Sequence, residues 1–194
     1  MKFFYAVLLM LISTSSLANG QYLQKDNFFP RVRLETSSGH IVVELDRTRA
    51  ALTVNNFLTY VDKKVYDGTL FHRLEPEFVL QGGGYDREYK PLKNFAMIHN
   101  ESGNGLKNRL YTISMARQTD PHSATSQFFI NLNDNPSLDP GKDWGYAVFG
   151  TVVEGMEVFD KIKALETGYE EKLGWENVPK KPLVLIRAVL LPAK

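Results

Sequence analysis

Short β-type runs crowd this chain, and helical periodicity occurs in only two places. That imbalance restricts the possible folds more than any other feature. Residues 31–35 and 41–45 alternate in the strand manner and are joined by Thr36-Ser37-Ser38-Gly39, a turn composition that predicts a hairpin. Further runs at residues 70–74, 78–81, 95–98, 111–115, 127–132, 146–153 and 183–190 bring the count to about nine. Against these, Val54, Phe57, Leu58 and Val61 recur at helical spacing within residues 50–64, and Met156, Phe159 and Ile162 do so within residues 154–165. So few helices among so many strands predict a mainly β fold. The expected form is a closed or strongly curved antiparallel sheet with two helices covering its open ends. No internal repeat, low-complexity tract or linker interrupts the pattern. The 194 residues, 43% of them hydrophobic, suffice for one domain with a sizeable core.

The N-terminus reads differently. Lys2, an apolar run over residues 3–12 and the small residues of Ser16-Leu17-Ala18 have the layout of a secretory signal peptide over residues 1–18. A leader over residues 19–30 and a folded domain over residues 31–194 would follow. The apolar run, about 10 residues, falls short of the ~20 that cross a bilayer, so no stable membrane anchoring is expected. The chain has no cysteine, which leaves neither a disulfide framework nor a lipoprotein-type attachment site, and the fold must rely on its core. There are 23 Lys and Arg against 22 Asp and Glu, and loss of Lys2 with the signal brings the balance to zero. Such a chain has no electrostatic reason to bind nucleic acid or an anionic membrane.

Several chemistries can be set aside on the residues themselves. Asp120, His122 and Ser123 or Ser126 would make a hydrolase site, yet they are neighbours in sequence and neither serine has a Gly-x-Ser-x-Gly elbow. Asp120-Pro121 reads better as the start of a polar turn. The histidines His40, His72, His99 and His122 lack metal-ligand spacing, so neither a metal nor another cofactor is expected. Gly82-Gly83-Gly84 lacks the features of a phosphate cradle and suits a strand exit or tight turn. Asn100-Glu101-Ser102 matches a glycosylation sequon, a pattern short enough to arise by chance.

What remains is a lone arginine in an apolar run, Phe71-His72-Arg73-Leu74. A guanidinium there must pair with a carboxylate or line a cleft. Two nearby strands place amides beside apolar groups. Val79 shares a face with Gln81 while Phe78 shares the other with Leu80, and Gln127 shares a face with Phe129. A core has no need of such amides. An apolar pocket rimmed by an arginine and two glutamines suits an uncharged, partly apolar ligand with amide groups, such as a proline-containing peptide.

Taken in order, Phe71-His72-Arg73, Phe78-Val79-Leu80-Gln81-Gly82-Gly83, Ile113-Ser114-Met115-Ala116-Arg117, Ser126-Gln127-Phe128-Phe129-Ile130-Asn131, Leu138-Asp139 and Tyr146-Ala147-Val148-Phe149-Gly150 resemble the cyclophilin family of peptidyl-prolyl cis-trans isomerases. The resemblance spans roughly residues 31–192. Met115-Ala116-Arg117, Ser123-Ala124-Thr125-Ser126-Gln127 and Gly145-Tyr146-Ala147 resemble its bacterial, periplasmic type. It implies an eight-stranded antiparallel barrel closed by two helices, one strand fewer than the runs suggest, with residues 95–98 the first to be demoted. It also implies a catalytic Arg73, supported by Gln81 and Gln127 rather than by a carboxylate, and Gln81 able to hold a substrate carbonyl. The proline pocket would be Phe78, Val79, Phe129 and Leu138, bordered by Ala116, Arg117, Gln127 and Tyr146, with backbone near Arg117 bonding the peptide. Partners would be proline-containing polypeptides of the periplasm, met by a monomer that assists their folding. A holding chaperone that makes little catalytic use of the groove is the alternative. Ser137 stands where many eukaryotic members have tryptophan, Val79 where they have methionine and Tyr146 where they have histidine. Weak cyclosporin binding is expected, because the missing indole removes apolar area and a donor.

Overall fold

In the hairpin that opens the domain, β1 (Arg31–Thr36) and β2 (Gly39–Leu45) pair from Arg31 with Glu44 to Thr36 with Gly39. The computed structural model describes residues 23–193. The expected signal peptide lies outside the described residues. The chain continues through α1 (Ala51–Asp62), β3 (Thr69–Leu74), β4 (Val79–Gly82), β5 (Thr112–Met115), β6 (Phe128–Asn131) and β7 (Val148–Glu154). It ends with α2 (Val158–Lys163), β8 (Thr167–Glu170), β9 (Trp175–Pro179) and β10 (Leu183–Leu190). Eight strands close an antiparallel barrel in the order β1-β10-β3-β4-β6-β5-β7-β2, while β8 and β9 form a separate hairpin.

Residues 95–98 are not a strand. Only Ile98 bridges Ala124, and the Phe95 N–H instead donates to the Tyr60 hydroxyl at 2.8 Å. The β8–β9 hairpin has no counterpart in the sequence reading. Its apolar residues Tyr169 and Trp175 are exposed and do not alternate with polar ones in the way a half-buried strand requires.

The helices bury most of the residues that their spacing selects, Val54, Phe57, Leu58 and Val61 on α1 and Phe159 and Ile162 on α2, while Met156 lies in the turn before α2 and is only half-buried. The second is shorter than expected because β7 runs on through Glu154. Phe57 packs against Tyr66, Phe128 and Phe149 with ring centroids 5.2 to 5.4 Å apart, which fastens α1 to the barrel interior. Its first turn has no capping side chain of its own. The Glu101 carboxylate serves instead, accepting the N–H groups of Leu52 at 3.1 Å and Thr53 at 2.8 Å. Part of the Asn100-Glu101-Ser102 sequon is therefore structural, and the Asn100 side chain is itself bonded to the Gly145 carbonyl at 3.0 Å.

One irregularity of the barrel sets up everything on its outer face. Along β3 and β4, Phe71 opposes Gly82, Arg73 opposes Gln81 and Leu74 opposes Leu80, so His72 is an extra residue with no partner. Phe71 and Leu74 both point into the core, and the two residues between them both point outward. Gly82 makes this possible. A Cβ on it would lie 2.7 Å from the ring of Phe71, which is only 1% exposed and has nowhere to move. Gly82→Ala is therefore expected to lose about 1 to 3 kcal/mol of stability, checked by urea unfolding.

Candidate active site

The two outward residues of the bulge have different fates. His72 is fully buried beneath the hairpin and its neighbours, with the Tyr85 ring 4.8 Å and the Trp175 ring 5.7 Å from its own. Neither ring nitrogen has a hydrogen-bond partner among the described residues. Burial pushes its pKa down to about 4.

Arg73, by contrast, stays about one-third exposed. Its Nε and Nη2 donate to Glu75 Oε1 at 3.0 and 2.5 Å, and its Nη1 donates to Gln81 Oε1 at 3.3 Å. The expectation that Arg73 needs no carboxylate is corrected here. Glu75 follows two positions later, just beyond the end of β3, where the chain can fold back along the guanidinium edge. A guanidinium carries five N–H donors, and these three bonds leave one on each terminal nitrogen. Gln81 passes the constraint on, its Nε2 donating to Gln127 Oε1 at 2.8 Å. Gly84 lets Gln127 lie close, since a Cβ there would sit 2.7 Å from the Gln127 amide. Arg73, Gln81 and Gln127 thus form one chain of fixed dipoles, as the two glutamines were expected to do.

Beside this chain lies a small apolar cluster separate from the main core. Val79, Ala116 and Phe129 are its buried members, and Phe78, Leu138 and Tyr146 pack against them half-buried. Strand register explains the placement. Arg73 opposes Gln81 and Gln81 opposes Phe129, so the three stand in a row across β3, β4 and β6. Leu80, Phe128 and Ile130 alternate with them and face the core. Phe78 does not follow Leu80 inward as the alternation predicts. It precedes β4, in the turn where its N–H reaches the Glu75 carbonyl at 2.9 Å, and strand parity does not apply to it. Its ring instead lies 5.7 Å from the Arg73 guanidinium carbon.

The far rim is a stack of rings and a cation. Phe129 meets Tyr146 edge-on at 5.6 Å, and the Arg117 guanidinium carbon lies 4.7 Å from the Tyr146 centroid. Arg117 is tied down by the carbonyls of Trp144 at 2.6 Å and Gln118 at 2.9 Å. Trp144 itself is half-exposed, packs 5.2 Å from His122, and stays outside the apolar cluster. It does not fill the place that Ser137 leaves.

Sequence reasoning missed the polar scaffold beneath the pocket. Asn135 donates to the Phe78 carbonyl at 2.9 Å and to Asn131 Oδ1 at 2.7 Å, while Asn131 donates to Asn108 Oδ1 at 3.2 Å. Asn108 in turn donates to Asp139 beside Leu138, and the Tyr146 N–H reaches the Leu138 carbonyl at 2.9 Å. These side chains hold the three pocket residues that come from loops. A run of asparagines near a strand end was the available signal, but their pairing spans residues too far apart to read. The hydrolase grouping does not assemble. The Ser123 hydroxyl donates to the Asp120 carbonyl at 2.6 Å, Ser126 donates to Asn94 at 2.8 Å, and His122 Nδ1 accepts the Asn100 N–H.

The fold and site together define a closed antiparallel barrel that presents a fixed guanidinium beside a small apolar pocket on its outer face. Residues 31–189 match the family described as cyclophilin type peptidyl-prolyl cis-trans isomerase/CLD. The chain is similar to peptidyl-prolyl cis-trans isomerase cyp18 of Streptomyces antibioticus, 48% identical over 164 residues that take in 82% of this chain and 98% of that one. It is also similar to peptidyl-prolyl cis-trans isomerase A of Dickeya dadantii, 49% identical over 162 residues, or 82% of this chain and 84% of that one. A Cryptosporidium parvum cyclophilin-type isomerase, solved in the presence of the dipeptide Ala-Pro, shares the fold with a TM-score of 0.68 at 22% identity, over 84% of this chain and 99% of that one. The chain belongs to the cyclophilin-type peptidyl-prolyl cis-trans isomerases. Its activity is accordingly isomerisation of X-Pro peptide bonds.

His72 gives the site a pH limit that comes from the fold. A neutral buried histidine with a pKa near 4 takes up its proton in the unfolded chain at about 6.5, so stability falls as pH drops between these values and is constant above them. The loss is on the order of 3 kcal/mol. Urea midpoints measured from pH 7.5 to 4.5 are expected to decline less steeply for His72→Phe than for the native chain.

Proposed function

We propose that Arg73 is the catalytic residue, that Phe78, Val79, Phe129 and Leu138 hold the proline ring, and that Gln81, Ala116, Arg117, Gln127 and Tyr146 border them. The observation that carries this reading is the row Arg73, Gln81, Phe129, which sets a fixed donor one strand beyond the floor of an apolar pocket.

The chemistry asks for little more. An X-Pro bond resists rotation because amide resonance gives its C–N bond partial double-bond character, with a barrier of ~18 to 20 kcal/mol. As the bond twists, conjugation is lost and a lone pair localises on the proline nitrogen. A donor aimed at that nitrogen stabilises the twisted state over both planar ones, and each ~1.4 kcal/mol so gained is about tenfold in rate. The unused N–H groups of Arg73 are such donors, already oriented by Glu75 and Gln81 so that little reorganisation remains. The pocket clamps the ring while the polar rim bonds the peptide on either side, and one end turns against the other. No covalent bond breaks, so neither a nucleophile nor a proton relay is required.

The setting proposed for this activity is the periplasm, after removal of residues 1–18, with secreted proline-containing polypeptides as substrates and a monomeric enzyme assisting their folding. The secretory layout of the N-terminus supports it. No helix among the described residues is long and apolar enough to cross a membrane. Cyclosporin should bind weakly, because Ser137 is exposed beside the pocket and Trp144 packs elsewhere.

Two measurements test this reading. Arg73→Ala should lose ~10² to 10³ in kcat/KM on a proline tetrapeptide while keeping its unfolding midpoint near that of the parent, and near-native turnover would remove Arg73 from its role. Ser137→Trp should tighten cyclosporin binding by about tenfold, since an indole restores a large apolar contact and one donor. Calorimetric titration of both proteins reads the difference.

A further inference from the structure

The β8–β9 hairpin is absent from the chemistry described so far, yet it forms a wall of the active face. Trp175 packs on His72 and stands edge-on to Tyr85 at 5.8 Å, so the indole is anchored directly behind the Arg73 bulge. It nevertheless remains 39% exposed. Its free side borders a cleft of about 430 Å³ walled by Arg73, Glu75, Gln81, Trp175, Glu176 and Asn177. This cleft lies across Arg73 from the proline pocket, because β9 packs against β3 while Val79 and Phe129 lie on β4 and β6.

The charges in the cleft do not cancel. The charge of Arg73 is balanced by Glu75, whereas Glu176 is exposed and has no ion pair or hydrogen bond to a side chain among the described residues. What is left is one free carboxylate next to an anchored indole with an open face. That pair of groups is complementary to a long cationic side chain, whose methylenes cover the indole while its head reaches the carboxylate. An acidic side chain is repelled by the carboxylate, and a neutral one gains at most the contact with the indole.

Distance fixes where such a side chain stands in the substrate. Strands β3 and β6 are two spacings apart, about 9.5 Å, and an extended peptide advances about 3.3 to 3.6 Å per residue, so the near wall of the cleft at Arg73 stands two to three residues of extended chain from the pocket floor and a long side chain spans the rest to Glu176. The geometry points to Trp175 and Glu176 as specificity-determining residues that select a lysine or arginine two or three residues from the isomerised proline. This rests on the isomerase reading and adds substrate selectivity to it.

The test uses proline peptides carrying Lys or Glu at the second or third position on either side of the proline, with exchange rates and affinities both read by NMR. At one of these positions the native enzyme should favour Lys over Glu by about fivefold in exchange efficiency, and 0.5 M salt should shrink the preference. Glu176→Lys should invert the ratio, and Trp175→Leu should reduce it. Because the readout is a ratio between two peptides on one protein, a general loss of folding or rate cancels. Equal treatment of Lys and Glu peptides by the native enzyme at every position, or an unchanged preference in Glu176→Lys, would overturn the proposal. If no peptide is isomerised, the activity reading fails instead, and the affinities still decide whether the cleft selects cations.

Discussion

The single extra residue in β3 is the constraint on which the active face depends. A regular strand would send Arg73 outward and His72 into the core, or the reverse, but not both to one side. With the bulge, Phe71 and Leu74 keep their places in the core while two consecutive polar residues face out. One of them becomes the proposed donor of the site. The other becomes its foundation, a buried imidazole pressed between β3, Tyr85 and Trp175. An unpartnered buried ring costs stability as pH falls, and the same ring packs against Tyr85 and Trp175 next to Arg73. The bulge thus joins a functional gain and a structural cost in adjacent residues.

Once Arg73 faces outward, its direction still has to be set. Glu75 and Gln81 hold the guanidinium from two sides, and Gln127 holds Gln81. Of these, only Gln81 lies on a strand whose register ties it to the pocket floor, and Gln127 stands one residue before β6. The rim residues Phe78, Leu138 and Tyr146 come from loops, and a loop residue needs its own support. The asparagines at 108, 131 and 135 supply it through bonds to backbone and to one another. The site therefore has two different kinds of rigidity, a strand ladder under its floor and donor side and a buried amide network under its rim.

This division also explains what could be read from the sequence. Alternation put Val79 with Gln81, and Gln127 with Phe129, on shared faces and Leu80 opposite the first pair, because these residues lie on or next to paired strands and period-2 geometry governs them. It failed for Phe78, one residue before β4, where a turn governs instead. The family resemblance implied the roles and the barrel's strand count, which the β-type runs alone overestimated through residues 95–98. The Glu75 partner was missed although it stands two residues from Arg73, because nothing local distinguishes a carboxylate that folds back from one that points to solvent. The hairpin at residues 167–179 was missed for a deeper reason: its exposed strands bury too little for alternation to appear.

The proposed role of an arginine fits a reaction that moves no proton. Rotation about an amide needs a donor that is always charged and always in place, and a guanidinium satisfies the first condition without help. The second is met by neighbours that neutralise its charge without consuming all its donors. A fully paired arginine would have nothing left to offer, and an unpaired one would swing in solvent and lose its aim. Arg73 lies between these limits, with three bonds to the protein and donors to spare. Acid sensitivity, where it enters, is then carried by His72 through the packing under the site rather than by any group that acts on the substrate.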